Sequence, residues 1–305
     1  MILKSLYYKT KTSDVEYVIN NMKNVTVKYV SDMSDSIQLV TDDNTVYQGI
    51  AAHALLKNII KRNANKTEVE WHSFDTLVNA VDSIQHQSNR TKVVYTCITG
   101  TYDSIRDPIT DSPEWDYICF TNNKDISSDV WDVIYVNDST LSNVKIQRHI
   151  KILYNRYLKS YTETLWLDGN CRLTIPVNKF IGLINPNKVP FVVSTHPERS
   201  CTYDEMLAVV KYRRDKEVNV APMRDRYKSE GLPVNAGMVD TNVLYRVHTP
   251  DLHNVMEQWW TELFNGSHRD QLSLNYVMWK TTYSDIYTFP HTLKWTYVNL
   301  ANHKG

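Results

Sequence analysis

From Thr91 onward, short apolar runs alternate with stretches of helical periodicity, and this alternation constrains the fold more than any other feature of the chain. Val93-Val94-Tyr95-Thr96-Cys97-Ile98, Tyr117-Ile118-Cys119-Phe120, Val130 to Val136, Thr164 to Leu167 and Phe191-Val192-Val193 each read as a buried strand. Helices intervene. Ile146, Ile150, Leu153, Tyr154, Tyr157 and Leu158 fall at helical spacing between Lys145 and Lys159, and Leu252, Val255, Met256, Trp259, Leu263 and Phe264 repeat the pattern. Parallel neighbours need a crossover long enough to hold a helix, so this order predicts an α/β fold with a mostly parallel sheet flanked by helices. Ligands of such sheets sit at the carboxyl ends of the strands.

The N-terminal part reads differently. Leu3 to Tyr8 (strand), Asp14 to Met22 (helix), Val25 to Val30 and Ser36 to Val40 (strands) and Ile50 to Ile60 (helix) follow in order, with Asp42-Asp43-Asn44 as a hairpin turn before Gly49. In element order alone this resembles a small thioredoxin-like module. No cysteine pair follows the first strand, so redox chemistry is excluded and a docking or oligomerisation role is expected. The division is then 1–62 as a small α/β module, 63–90 as polar linker and bridging helix (Phe74, Leu77, Val78, Val81, Ile84), and 91–305 as the main domain.

With 305 residues, 42% of them hydrophobic, the chain can bury a sizeable core. The 34 Lys and Arg balance 34 Asp and Glu, so no overall field draws it to nucleic acid or to an anionic membrane, and such a partner would need a local patch. Cys97, Cys119, Cys171 and Cys201 are widely spaced, which argues for reduced thiols. The first residues lack the apolar core of a secretory signal, and no apolar run reaches the length of a membrane span, so a cytoplasmic protein is expected.

Several local patterns carry chemistry. Trp166-Leu167-Asp168-Gly169-Asn170 puts a carboxylate and an amide two residues apart where a strand gives way to a turn, so both can project to one side and offer oxygens to a hard cation. Gly169 between them permits close backbone approach. The same residues also make an ordinary turn. Between Asp138 and Glu163 there is no acidic residue, yet Lys145, Arg148, Lys151, Arg156 and Lys159 all occur; Lys151 and Arg148 are the candidates for neutralising a phosphate, against a solvated helix face. His196 and Arg199 follow a strand and can point into a cleft, Arg199 as a bidentate phosphate partner. Thr202-Tyr203-Asp204-Glu205 doubles as a capping box for a helix running to about Lys216. Arg269 and Asp270 stand at a helix start, where a carboxylate serves either the helix dipole or an acceptor. Trp259 and Trp260 read as core.

Five patterns in this order carry a family resemblance: Thr96-Cys97-Ile98-Thr99-Gly100-Thr101-Tyr102-Asp103; the Lys151 helix leading into Trp166 to Asn170; His196-Pro197-Glu198-Arg199 with Cys201, Tyr203 and Glu205; Glu230-Gly231-Leu232-Pro233; and Trp259-Trp260 followed by Ser267 to Ser273. Over residues 91–280 the chain resembles the glycosyltransferase-like family, long described as a domain of unknown function, with bacterial, viral and plant mucilage-related members. The resemblance implies a GT-A-like, Rossmann-type fold that binds a nucleotide sugar. Implied donor-binding residues are Thr99, Gly100, Tyr102 (base), Asp103 (ribose), Arg148, Lys151 and Arg199. Asp168 and Asn170 would hold a divalent metal, Mn or Mg, with His303 as a third ligand in the manner of glycogenin-like enzymes. The Asp-x-Asn set carries one charge fewer than the usual Asp-x-Asp, which weakens the expected metal affinity. Asp270, His196 and Arg269 would serve catalysis.

The function expected is transfer of a sugar from a nucleoside diphosphate, uridine diphosphate being the expected carrier, to a hydroxyl acceptor. A glycan, a protein or a hydroxymethylated base in viral DNA are open as acceptors, the last needing a basic surface and a flipped base. The rivals are a non-catalytic nucleotide-binding interaction protein, and a metal-dependent amide or ester hydrolase; one plant member of the family is described as a lipid amidase, but this chain has no Gly-x-Ser-x-Gly elbow.

Overall fold

The computed structural model describes residues 69–303 and, as backbone alone, strands β1 (Val27–Met33), β2 (Ser36–Thr41) and β3 (Val46–Gln48), which form an antiparallel meander. The expected strands Val25 to Val30 and Ser36 to Val40 fall on β1 and β2. The elements expected at Leu3 to Tyr8, Asp14 to Met22 and Ile50 to Ile60 lie outside the described residues.

The remaining elements build an eight-stranded sheet with its helices and a separate two-stranded antiparallel ladder of Cys171–Leu173 with Val298–Leu300. In chain order they begin with β4 (Trp71–His72), α1 (Leu77–Ser88), β5 (Lys92–Ile98), β6 (Trp115–Thr121), β7 (Asp132–Val136), α2 (Asn143–Ile152), the single turn α3 (Tyr154–Tyr157) and β8 (Glu163–Leu167). Then come β9 (Cys171–Leu173), α4 (Val177–Ile184), β10 (Phe191–Thr195), α5 (Thr202–Lys211), α6 (Glu217–Glu230), β11 (Val239–Val247), α7 (Pro250–Asn265), α8 (Gln271–Lys280), β12 (Ile286–Phe289), α9 (His291–Tyr297) and β13 (Val298–Leu300). The sheet order is β12-β10-β11-β8-β5-β6-β7-β4, parallel throughout except for β11, which runs antiparallel to both neighbours. The expected α/β sheet is therefore present, with the five expected strands as β5, β6, β7, β8 and β10.

Alternation of side chains sorts the core into two layers. Val93, Tyr95 and Cys97 of β5, with Ile118, Phe120 and Trp166, face the helical layer containing Met206, Tyr227, Trp259 and Leu272; Val94, Ile98, Leu165 and Leu167 face the layer containing Phe180 and Phe289. Being buried on both faces, β5 and β6 have no polar face at all, which is why they read as unbroken apolar runs.

Three differences from expectation have local causes. The stretch 69–90 contributes to this same body: β4 pairs with β7 through Trp71↔Tyr135, and Leu77 and Val81 of α1 are fully buried. Its polar texture reflects an edge strand and an amphipathic helix exposed on one side. The helix expected from Lys145 to Lys159 breaks at Leu153, whose backbone leaves the helical region. The helix expected to reach Lys216 ends at Lys211.

Strand β11 escapes a pattern reading because Arg246 interrupts it. That guanidinium is fully buried, lies 4.7 Å from the centre of the Tyr154 ring and 5.8 Å from that of Phe191, and donates to the Tyr95 hydroxyl at 2.7 Å. Aromatic faces and one hydroxyl thus take the place of the missing hydrophobe.

The helical layer also buries neutral imidazoles. His149 stacks on Phe74 at 4.3 Å and bonds the Tyr157 hydroxyl at 2.6 Å, and burial pushes its pKa down to about 4; burial pushes His248 down to about 3. A base whose folded pKa is depressed contributes stability that is present above its unfolded value, near 6.5, and lost as pH falls through the folded value. Unfolding by urea at a series of pH values is expected to show stability declining from about pH 6.5 toward pH 4, and the decline should be shallower in His149→Phe.

Candidate active site

A single cleft of about 750 Å³ opens at the carboxyl ends of β5, β8 and β10. That volume lies within the range of small-molecule and cofactor sites, roughly 300–1,000 Å³. The loops after these three strands, the start of β11 and the start of α8 supply its lining, so one sheet edge collects residues from positions 97 to 303.

Its floor is ionic. Lys151, on the last turn of α2, is fully buried, and its Nζ stands 2.6 Å from Asp270 Oδ2, 3.2 Å from Asp168 Oδ1 and 3.3 Å from the Thr241 hydroxyl. Trp166 Nε1 donates to Asp168 Oδ1 at 2.7 Å, the two side chains sharing a face at strand spacing. With its amide nitrogen turned toward the carboxylates, Asn242 donates to Asp168 Oδ2 at 2.9 Å and to Asp240 Oδ1 at 3.1 Å. Asp270 also accepts from Thr241 at 2.9 Å and meets Arg148 Nε at 3.5 Å. Burial alone would raise the Asp270 pKa; Arg148, Lys151 and Arg269 outweigh it and hold the carboxyl well below the usual carboxylate range. So depressed, Asp270 is a poor proton acceptor and a durable negative charge.

Basic groups line the same cleft. Arg148, Arg199, Arg214 and Arg269 all line the cleft. Arg199 is engaged by Glu205 (2.7 Å) and Glu198 (3.0 Å). Among the described residues no carboxylate lies within ion-pair distance of the Arg269 or Arg214 guanidinium, and the buried Arg269 Nε has no partner. Burial lowers the Arg269 pKa, with Arg148 and Arg214 adding repulsion against the pull of Asp270. Asp215, beside Arg214, anchors the corner before α8 by accepting from Ser267 Oγ at 2.5 Å and pairing with His268 at 3.1 Å.

The loop after β5 makes the third side. Gly100 adopts φ 61°, a left-handed conformation that a glycine accepts without strain, and its N–H donates to Asn122 at 2.7 Å while Thr99 Oγ1 donates to the Asn143 carbonyl at 2.9 Å. Tyr102 is about half exposed; the His303 ring stacks on it at 4.4 Å and bonds Asp103 at 2.8 Å. A Cβ on Gly169 would stand 2.9 Å from Ile98 Cγ1 and 3.2 Å from Asp103 Oδ2, so the glycine is required for close approach.

Of the expected site residues, the cleft gathers Thr99, Gly100, Tyr102, Asp103, Arg148, Asp168, His196, Arg199, Arg269, Asp270 and His303. Four expectations change. Lys151 lies beneath the floor, not on the phosphate-facing surface, because its long side chain is drawn to two buried acids. Asn170 turns away from the cleft: its amide donates to the Ala301 carbonyl at 3.1 Å, tying down the C-terminal strand. His196 Nδ1 accepts the N–H groups of Glu198 (3.2 Å) and Arg199 (3.1 Å), leaving Nε2 toward Glu205 at 3.6 Å, so the ring is committed to holding its turn. Burial lowers its pKa as well. Glu205 is no cap, since α5 has no side-chain cap bond and the carboxylate serves Arg199.

The expected metal set is therefore not assembled. Both Asp168 oxygens already accept from an ammonium, an indole or an amide, Asn170 points elsewhere, and His303 is paired with Asp103. Among the described residues no three His, Cys, Asp or Glu side chains converge as metal ligands would. Residues not foreseen are Arg214, Asp240, Thr241 and Asn242. A signal existed for the last three, because Asp240-Thr241-Asn242 repeats the acid-x-amide spacing of Asp168-Gly169-Asn170.

Comparison with known proteins follows this geometry. The model of a family described as TOD1/MUCI70, glycosyltransferase-like domain, matches residues 64–303, and the chain belongs to that family. Among solved structures, the chain is similar to the apo form of the bifunctional glycosyltransferase WbbM, with 8% identity and a TM-score of 0.41 over 66% of this chain. It spans only 39% of that protein's length. No curated protein matches the sequence. Among the described residues, no helix is long and apolar enough to cross a membrane.

The ionic floor makes two expected outcomes checkable. Lys151→Met leaves two acids without their shared cation and should cost about 3–5 kcal/mol in chemical denaturation; the cost should shrink at acid pH, because Asp270, with its folded pKa depressed, contributes stability that is present above the ordinary range near 4 and lost as pH falls below it. Gly169→Ala should displace Asp103 and weaken ligand binding by about tenfold or more, a misplacement near 1 Å being able to cost up to about a hundredfold, and lower the melting temperature because the new Cβ also meets the buried Ile98; unaltered affinity by calorimetry would contradict the packing argument.

Proposed function

We propose that this member of the TOD1/MUCI70 glycosyltransferase-like family transfers a glycosyl group from a nucleoside-diphosphate sugar to a hydroxyl acceptor in the cleft at the sheet's carboxyl edge. The observation that carries the reading is the polarity across that cleft. The carboxylates of Asp168, Asp240 and Asp270 and the guanidinium groups of Arg148, Arg199, Arg214 and Arg269 line the same cleft.

Glycosyl transfer needs both signs at once. As the bond to the diphosphate breaks, negative charge grows on the leaving oxygen and positive charge on the anomeric carbon. Arg269, Arg214 and Arg148 receive the first, and fixed carboxylates face the second. The carboxylates, Arg148 and the largely buried Arg269 are held by ion pairs or burial before substrate arrives, so little reorganisation of these groups is left for the reaction. The glycine-bearing loop of Thr99 and Gly100 brings backbone close to the nucleoside, the exposed Tyr102 face takes the base once His303 yields it, and Asp103 takes a ribose hydroxyl.

Asp270 is not the proton acceptor in this scheme, because its neighbours hold it ionised. Its part is electrostatic. Thermal-shift measurements with UDP, GDP, ADP and CDP are expected to show stabilisation by at least one of them, rising with concentration above its dissociation constant. Asp270→Asn should then abolish turnover of the corresponding nucleotide sugar while leaving diphosphate binding measurable. Absence of any stabilisation across the panel would refute the reading.

A further inference from the structure

Resting on that reading, we infer that the guanidinium groups of Arg269 and Arg214, assisted by Arg148, neutralise the donor diphosphate directly, and that binding does not require a divalent cation. The place between Asp168 and Asp270 is occupied by the Lys151 ammonium, which is part of the protein, inaccessible to solvent and within 3.2 Å of both acids. A dication drawn to the same acids would have to sit against that fixed positive charge. Asp168 has no oxygen without a donor, and the amide expected to complete a cation site anchors the C-terminal strand instead.

Arg269 and Arg214 present the converse problem, positive charge without an ion pair among the described residues. Arg148 and Arg214 both act on Arg269 as like charges, yet neither Arg269 nor Arg214 meets a carboxylate within ion-pair distance among the described residues. Arg269 is largely buried and its Nε donor is unused, an expensive arrangement unless an anion completes it. Guanidinium forks match phosphate oxygens in bidentate geometry and keep their charge when desolvated better than an ammonium does. Their location fits the task, since Arg269 directly precedes Asp270 and Arg214 directly precedes the Asp215 that pins the same corner. The backbone that carries each of them is thus fixed by the ion pairs of the neighbouring residue.

The full chain, titrated calorimetrically with UDP, GDP, ADP and CDP, separates the possibilities. In EDTA and in excess manganese, the diphosphate that binds should do so with affinities within threefold of each other. Arg269→Lys, which keeps the charge but loses the fork, and Arg214→Ala should each weaken binding in EDTA at least tenfold; the two changes are made separately, so a folding defect in one, seen by circular dichroism, does not remove the test. Binding that is tenfold or more tighter with manganese overturns the inference and leaves the proposed function standing. Unchanged affinity in both variants also overturns it. If no diphosphate binds under either condition, the transferase reading fails and this inference fails with it.

Discussion

The Lys151 ammonium, buried between Asp168 and Asp270, is the contact on which the rest of the site depends. It ties the end of α2 to the end of β8 and to the start of α8, three elements that all contribute to the cleft. Buried charges of this kind are tolerated only with their partners in place. The network therefore specifies one arrangement: moving any of the three elements strands a charge in the interior. Trp166 and Thr241 complete the cage by giving each acid a neutral donor as well.

Around this floor the sheet topology does the gathering. β11 runs against its neighbours, so its beginning, not its end, lies at the edge where β5, β8 and β10 finish. Asp240, Thr241 and Asn242 are thereby delivered beside Asp168, and the Asp168 N–H is fixed to the Asn242 carbonyl at 2.9 Å. Asp240 is in turn held by Lys294 of α9, on the other side of the sheet. Both faces of the core thus contribute a buried lysine to the same group of acids.

The polarity of the cleft ties fold to function. Acids under one side and guanidinium groups on the other would repel among themselves if solvent did not separate them or counter-charges did not hold them. Here the acids are held internally by Lys151 and Lys294, whereas Arg269 and Arg214 make no ion pair among the described residues, Arg269 feeling Asp270 and Glu205 only at longer range. The imbalance leaves the cleft poised for an anion, in keeping with a family described as glycosyltransferase-like.

How much of this was legible beforehand depends on whether the cause was local. Strands such as Val93 to Ile98 announce themselves because burial on both faces demands apolar side chains at every position, and the ligand edge follows once those strands are known to be parallel. The place of Asp168, Asp270 and Arg269 at the cleft was likewise visible, since each stands at a strand end or helix start. Side-chain direction was not. Asp168 and Asn170 are spaced to point together in an extended strand, but the chain turns at Gly169, and tertiary contacts sent one amide to Ala301 and left one carboxylate over Lys151. Sequence spacing determines which residues can reach a site; which of them keep a free charge there is settled by partners far away in the chain, and only the folded arrangement of those partners decides it.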